Sequence, residues 1–216
     1  MKYYLIEFSA DEAEIGSTYP QSHTARHIIN VNDPQYLGKH DIGKPLPNDI
    51  VLPQPVLHPD AKLTDLISST ATWRLTMSSK LKSILERHVD PNRCQFLPMT
   101  VHCFSSQYGY WMLNPIVFDM ETIDFPNAEI WVVGIGNAKI RPLHCSNAIE
   151  FEQYGSQLVI PETLSILKFK FHEGVSQDFI QLRRVPRGIA YYVSHDLKNE
   201  IIGAGCTGLK FTGFTG

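Results

Sequence analysis

The chain has 216 residues, 43% of them hydrophobic and 19% charged, with 19 basic against 22 acidic side chains and a net charge of −3. A chain of this length buries roughly 70% of the surface it exposes when unfolded, so it can fold without disulfides or metals, and its aromatic content excludes a disordered chain. The charge balance argues against a dedicated nucleic-acid binder, and no apolar run reaches the ~18 residues with which a helix crosses a bilayer.

The N-terminal run Tyr3 to Phe8 alternates aromatic and β-branched residues and predicts a first strand. It lacks the apolar core and small-residue cleavage site of a signal peptide. The four cysteines, Cys94, Cys103, Cys145 and Cys206, are scattered with no CxxC pair. Together these features lead to the expectation of reduced thiols in a cytoplasmic protein. Residues 9 to 60 carry seven prolines, from Pro20 to Pro59, and predict an irregular segment with one short strand around His27 to Val31. A stretch this long either drapes over a core or supplies a binding surface. The whole, 1–216, is expected to be a single unit, subdivided if at all into 1–70 and 71–216.

From Ser78 the pattern sharpens. A serine cap followed by Leu81, Ile84 and Leu85 predicts a helix that Asp90-Pro91-Asn92 ends. Cys94 to Phe104 and Tyr108 to Phe118 predict paired strands across a Ser105-Ser106-Gln107 turn, with Pro115 at an edge or bulge. Glu129 to Ile135 and the alternating Ile166 to Phe171 predict further strands. Ser194 to Ile202 predicts a second helix with Leu197 and Ile201 inward, and Leu209 to Phe214 a last strand. Met77-Ser78-Ser79-Lys80-Leu81-Lys82 and Val193-Ser194-His195-Asp196-Leu197-Lys198 share an apolar residue, a serine cap and Leu-Lys at the same offset. The expected fold is therefore α+β, with an antiparallel or mixed sheet, two similar Ser-capped helix–strand units and a long irregular N-terminal segment.

Short motifs give no complete chemistry. Gly203-Ala204-Gly205-Cys206-Thr207-Gly208 spells GxGxxG, but it follows a helix and precedes a strand. Phosphate there would meet the negative end of a helix dipole, so the glycines are expected to serve chain geometry. His102-Cys103 and His144-Cys145 are zinc-ligand types, yet adjacent residues on a strand face opposite ways and cannot hold one metal. Neither cofactor nor metal is expected. Asp119, Glu121 and Asp124 form an acidic cluster after a strong strand. If the strand continues, Asp119 and Glu121 share a face and could hold Mg²⁺ or do acid–base work; a solvated strand end and a docking patch are the alternatives.

Ser78-Ser79-Lys80-Leu81-Lys82 through Phe96-Leu97-Pro98-Met99 resembles a pattern of bacterial immunity proteins of polymorphic-toxin systems, in families first catalogued as domains of unknown function. Tyr110-Trp111-Met112-Leu113-Asn114, followed by Asp119 and Asp124, is similar to the next family stretch, and Ser194 through Phe211 to its closing helix, glycine and phenylalanine. Residues 9 to 70 match none of the pattern. The resemblance implies a cytoplasmic protein that binds and neutralises a cognate protein toxin; binding is expected rather than catalysis, and neither nucleic acid nor membrane is an expected partner. Asp119, Glu121, Asp124, Tyr108, Tyr110 and Trp111 are the expected partner-binding residues, because carboxylates steer a basic face and Tyr and Trp anchor interfaces. Strand alternation offers the plainer reading, with Tyr110 and Trp111 divided between core and solvent. The rival function is a small intracellular enzyme using the acidic cluster or a histidine, with or without a metal.

Overall fold

In a computed structural model describing residues 2–26, 30–186 and 188–215, the first strand pairs with strands from the end of the chain. β1 (Tyr3–Phe8) is paired antiparallel on one side with β12 (Gly188–Ser194) and on the other with β13 (Leu209–Gly213). β11 (Phe179–Val185) folds back on β12, giving the order β11-β12-β1-β13. A second sheet contains β2 (Thr24–Arg26), β3 (Gln54–Val56), β4 (Leu66–Ile67), β5 (Thr76–Ser78), β6 (Cys94–Cys103) and β7 (Ser106–Pro115), in the order β2-β3-β6-β7-β5-β4. Among these described strands β3 and β6 pair in parallel and the other neighbours antiparallel. A third has the order β10-β8-β9, from β8 (Glu129–Val133), β9 (Lys139–Leu143) and β10 (Thr163–Lys168). The helices are α1 (Glu12–Ile15), α2 (Ser79–Leu85), α3 (Ala148–Gln157) and α4 (His195–Gly203). The class is α+β with antiparallel and mixed sheets, as the sequence predicts.

The two Ser-capped units are alike beyond their helices. Ser78 Oγ accepts the Leu81 N–H at 3.2 Å, and Ser194 Oγ accepts the Leu197 N–H at 3.1 Å. Each capping hydroxyl also donates to an aspartate that opens the preceding hairpin: Ser78 to Asp65 Oδ1 and Ser194 to Asp178 Oδ1, both at 2.6 Å. The backbones repeat the contact, with the Ser78 and Ser194 N–H groups donating to the Asp65 and Asp178 carbonyls at 2.8 Å. Asp65-Leu66-Ile67 and Asp178-Phe179-Ile180 thus start equivalent hairpins, β4–β5 and β11–β12, that lead into α2 and α4. In each unit the second hairpin strand then pairs with a strand that also pairs with the one following the helix. The resulting orders are β5-β7-β6 and β12-β1-β13.

Leu81, Leu85 and Met77 meet Leu197, Ile201 and Val193 in one buried cluster between the units. Burial of such side chains contributes roughly 1.5–3 kcal/mol each. The irregular segment drapes over the opposite face of the large sheet, where Leu37, Leu46 and Leu57 cover Met99, Val101 and Met112. A third cluster joins Phe151 of α3 and Ile130 and Ile166 of the small sheet to Ile180, Leu182 and Tyr192.

Four details depart from the sequence reading. The β6–β7 turn is Phe104–Ser105, with Ser106 already paired to Cys103 and Phe104 at φ +53°. The short strand expected around His27 to Val31 falls at Thr24–Arg26; residues 27–29 lie outside the described residues, and Asn30 and Val31 are not in a strand. The chain leaves β7 at Pro115 and turns through a single 3₁₀ turn at Met120–Thr122, so Asp119 and Glu121 do not share a strand face. Finally, the strand expected over Ile166 to Phe171 is β10, Thr163–Lys168, and α3, β9 and the β11–β12 hairpin go beyond the sequence reading.

Candidate functional site

The acidic residues are placed in different surroundings. Asp119 is 4% exposed. Its Oδ2 accepts the Gln181 N–H at 2.7 Å, its Oδ1 is ion-paired with Arg93, and its own N–H donates to the Gln181 carbonyl at 2.8 Å. Burial pushes its carboxyl above the ordinary value, against the lowering effects of Gln181 and Arg93. This carboxylate fastens the end of β7 to β11. Glu121 is exposed and reaches Arg93 at 3.3 Å. Asp124 is half-buried and accepts from the Asn127 amide at 2.8 Å.

The aromatic residues separate as strand alternation requires. Tyr110 is 5% exposed, and its hydroxyl donates to the Thr64 carbonyl at 2.6 Å. Trp111 lies half-buried on the other face, donating to Ser79 Oγ at 3.0 Å, with Lys82 Nζ 4.7 Å from its ring centroid. Tyr108 is exposed near the hairpin tip. From Tyr108 to the end of β7 the strand runs about 23 Å, so the tyrosine and the acidic residues lie toward opposite ends. The six expected binding residues do not form one patch, and Asp119 and Tyr110 are turned inward.

The other motifs also resolve into fold geometry. Gly205 and Gly208 have φ of +65° and +81°, and the Cys206 N–H returns to the Ile201 carbonyl at 3.2 Å to close α4. A Cβ on Gly208 would stand 2.2 Å from the Leu66 carbonyl oxygen, so glycine is required by both angle and space. His102 is buried, with Nε2 2.7 Å from Gln54 Oε1. His144 is exposed beside buried Cys145. Burial pushes the Cys94, Cys145 and Cys206 thiols up to about 11. No group of three His, Cys, Asp or Glu side chains suited to a metal occurs among the described residues. No helix among them is long and apolar enough to cross a membrane.

A surface that the motifs did not mark stands out at the tips of the two equivalent hairpins. The β4–β5 connection, residues 68–75, carries Trp73 at 84% exposure between buried Thr72 and Arg74. Thr72 Oγ1 packs on Met112 Sδ at 3.8 Å and accepts the Arg74 N–H at 3.1 Å, and the Leu75 carbonyl accepts the Leu113 N–H at 3.0 Å. The indole is therefore held outward by anchors on either side of it. Trp73 borders two clefts. One, of about 300 Å³, lies against the draping segment at His23, Tyr36, Leu37 and Val51. The other, of about 580 Å³, is walled by Ile42, Phe118, Val133, Asn137 and the β11–β12 hairpin.

Three guanidinium groups surround these clefts. Arg74 is 5% exposed and donates to Asn114 Oδ1 at 2.8 Å. It makes no ion pair with a carboxylate among the described residues, and burial pulls it below the ordinary arginine value. Arg183 pairs with Glu152 at 2.7 Å and stacks over Phe118; Arg184 reaches the same carboxylate at 3.3 Å. Sequence reading missed this surface because Trp73 lies in no periodic pattern. Its exposure follows from neighbours whose burial is tertiary.

Neither a protein-family model nor a curated protein matches this chain.

Proposed function

We propose that this chain is an immunity-type binding protein that neutralises a cognate bacterial toxin by association, acting in the cytoplasm of the producing cell. The observation that supports this reading most is Trp73, an indole fixed in solvent on an anchored loop between two clefts. Tryptophan is among the residues that dominate interface energetics. Covering most of its surface would release roughly 3–5 kcal/mol. An anchored loop loses little conformational freedom on docking, which leaves more of that energy for affinity. The rival reading, a small enzyme using the acidic cluster or a histidine, has less support at the acidic cluster, where the Asp119 carboxylate is engaged by Arg93 and Gln181.

The test is co-expression with the C-terminal domain of a large secreted protein encoded beside it. The expected outcome is co-purification of the two chains and protection of the cell. Trp73→Ala should weaken the complex by about thirtyfold, as for a residue at the energetic centre of an interface. A wild-type chain that neither retains the domain nor protects would overturn the proposal.

A further inference from the structure

We infer that the surface around Trp73 docks an acidic polypeptide segment of the partner, with an apolar side chain against the indole and carboxylates facing the arginines. The inference rests on the binding function proposed above and adds to it the location and chemistry of the contact.

Charge is the first argument. The chain as a whole carries −3, yet among the described residues those lining the two clefts include Arg74, Arg183 and Arg184 and no Asp or Glu. Among the described residues Glu152 is the single carboxylate paired with Arg183 and Arg184, and Arg74 has none. The surroundings of Trp73 are thus locally cationic on an anionic protein. Arg184 Nη1 is buried and faces Glu152 Oε2 at 3.3 Å without hydrogen-bond geometry, so two guanidinium groups share one carboxylate and keep donors for a second.

Shape is the second. The clefts adjoin at Trp73, forming a path from the draping segment at Tyr36 past the indole to the end of the small sheet at Val133 and Asn137. An extended segment laid along such a path alternates its side chains, so apolar residues would meet Trp73, Ile42 and Phe118 while intervening carboxylates meet guanidinium groups. A basic segment would leave the arginines repelled and desolvated.

The experiment uses the full chain and two short labelled peptides, one alternating Glu with Leu and its twin alternating Lys with Leu, read by fluorescence anisotropy at low ionic strength. The expected result is binding of the glutamate peptide alone, weakened by added salt. Trp73→Ala should weaken it about tenfold, and the Arg183→Gln/Arg184→Gln pair by a similar factor. Trp73 is solvent-exposed, so its variant reports on the surface even if the arginine pair unfolds. Failure to bind the glutamate peptide, equal binding of both peptides, or affinity unchanged by Trp73→Ala would overturn the inference. A toxin domain retained equally by wild type and Trp73→Ala would sink this surface while leaving the binding function standing. A domain not retained at all would remove the function, and the peptides would still decide the surface.

Discussion

The two Ser-capped units begin alike and are finished differently. In the first, the strand that completes the set, β7, follows β6 through a two-residue turn. In the second, the equivalent place is taken by β1, which arrives from the start of the chain and lies between β12 and β13. The hairpin tips differ too: residues 68–75 form an expanded loop carrying Trp73, whereas β11 and β12 stay paired as far as Val185 and Gly188. The local motif of aspartate, hairpin, serine cap and helix is self-sufficient, and its completion is left to whatever strand the topology supplies. The surface proposed for binding lies where the two tips have diverged.

Removing β1 tests the comparison most severely. Deletion of residues 1–8 strips both β12 and β13 of their shared partner and takes Tyr4 and Ile6 from the core between the units. The expected result is loss of any cooperative unfolding transition by circular dichroism. A circular permutant carrying Tyr3–Phe8 after β13 should recover it, since Phe214 N–H already donates to the Tyr3 carbonyl at 3.0 Å. A deletion variant that melts like the wild type would break the equivalence of β1 and β7.

The next effect concerns the link after α4. Gly208→Ala forces a Cβ against the Leu66 carbonyl at a positive φ and should cost about 4 kcal/mol, read from urea midpoints. Gly205→Ala has the same sign of φ but open space, and about 1 kcal/mol is expected. Equal losses would mean that backbone angle alone, not contact between the units, governs this loop.

The paired aspartates should separate by about a factor of two. Asp65 accepts from Ser78, from the Thr207 N–H at 2.9 Å and from Lys80 at 2.9 Å, and its side chain is 11% exposed. Asp178 accepts from Ser194 and faces His88 Nδ1 at 3.0 Å, with 38% exposure. Each aspartate is thus bound by its own cap and by the post-helix segment of the other unit. Asp65→Ala strands more buried donors and should cost about 3 kcal/mol, against about 1.5 for Asp178→Ala. Acid should act through the same groups. Burial raises the Asp65 carboxyl, but hydrogen bonds from Ser78, Lys80 and Thr207 outweigh it; the Ser194 hydroxyl leads in lowering Asp178. Both folded values lie below 3.8, so their stabilisation is present above that pH and lost as pH falls through the lower folded values. Stability of the wild type should drop across that window, and less steeply in Asp65→Ala.

What was legible in the sequence was local. Serine caps, the Leu81 and Leu197 faces and the β6–β7 pairing all depend on residues within a few positions, or across one short turn. α3 left a usable signal: Asn147 caps it, its side chain accepting the Glu150 N–H at 2.9 Å, and Glu150 reaches back to the Ser146 N–H at 2.6 Å. The role of Asp65 and Asp178 was hidden because no helix rule connects a cap to an aspartate at the start of the preceding hairpin. Asp119 looked like a surface acid because its partners, Arg93 and Gln181, are brought in from the turn before β6 and from β11. Trp73 was unreadable for the same reason, since its outward position is set by Thr72 and Arg74 packing against β7.

The smallest effect is expected at the caps, and there the two units should agree. Losing a serine cap leaves a helix N–H unsatisfied and costs about 1 kcal/mol. Ser194 is fully buried and Ser78 half-buried, which alone would make Ser194→Ala the worse change. The aspartates offset this. Without Ser194, Asp178 is open enough to take water in place of the hydroxyl and keeps His88. Without Ser78, Asp65 has little access to water but retains Thr207 and Lys80. Each substitution therefore loses the cap and little more, and their urea midpoints should shift by similar amounts, near 1 kcal/mol each. Ser→Thr at either position keeps the hydroxyl and should recover most of the loss. A Ser194→Ala cost several times that of Ser78→Ala would show that burial, not the cap shared by the two units, sets the energetics of these positions.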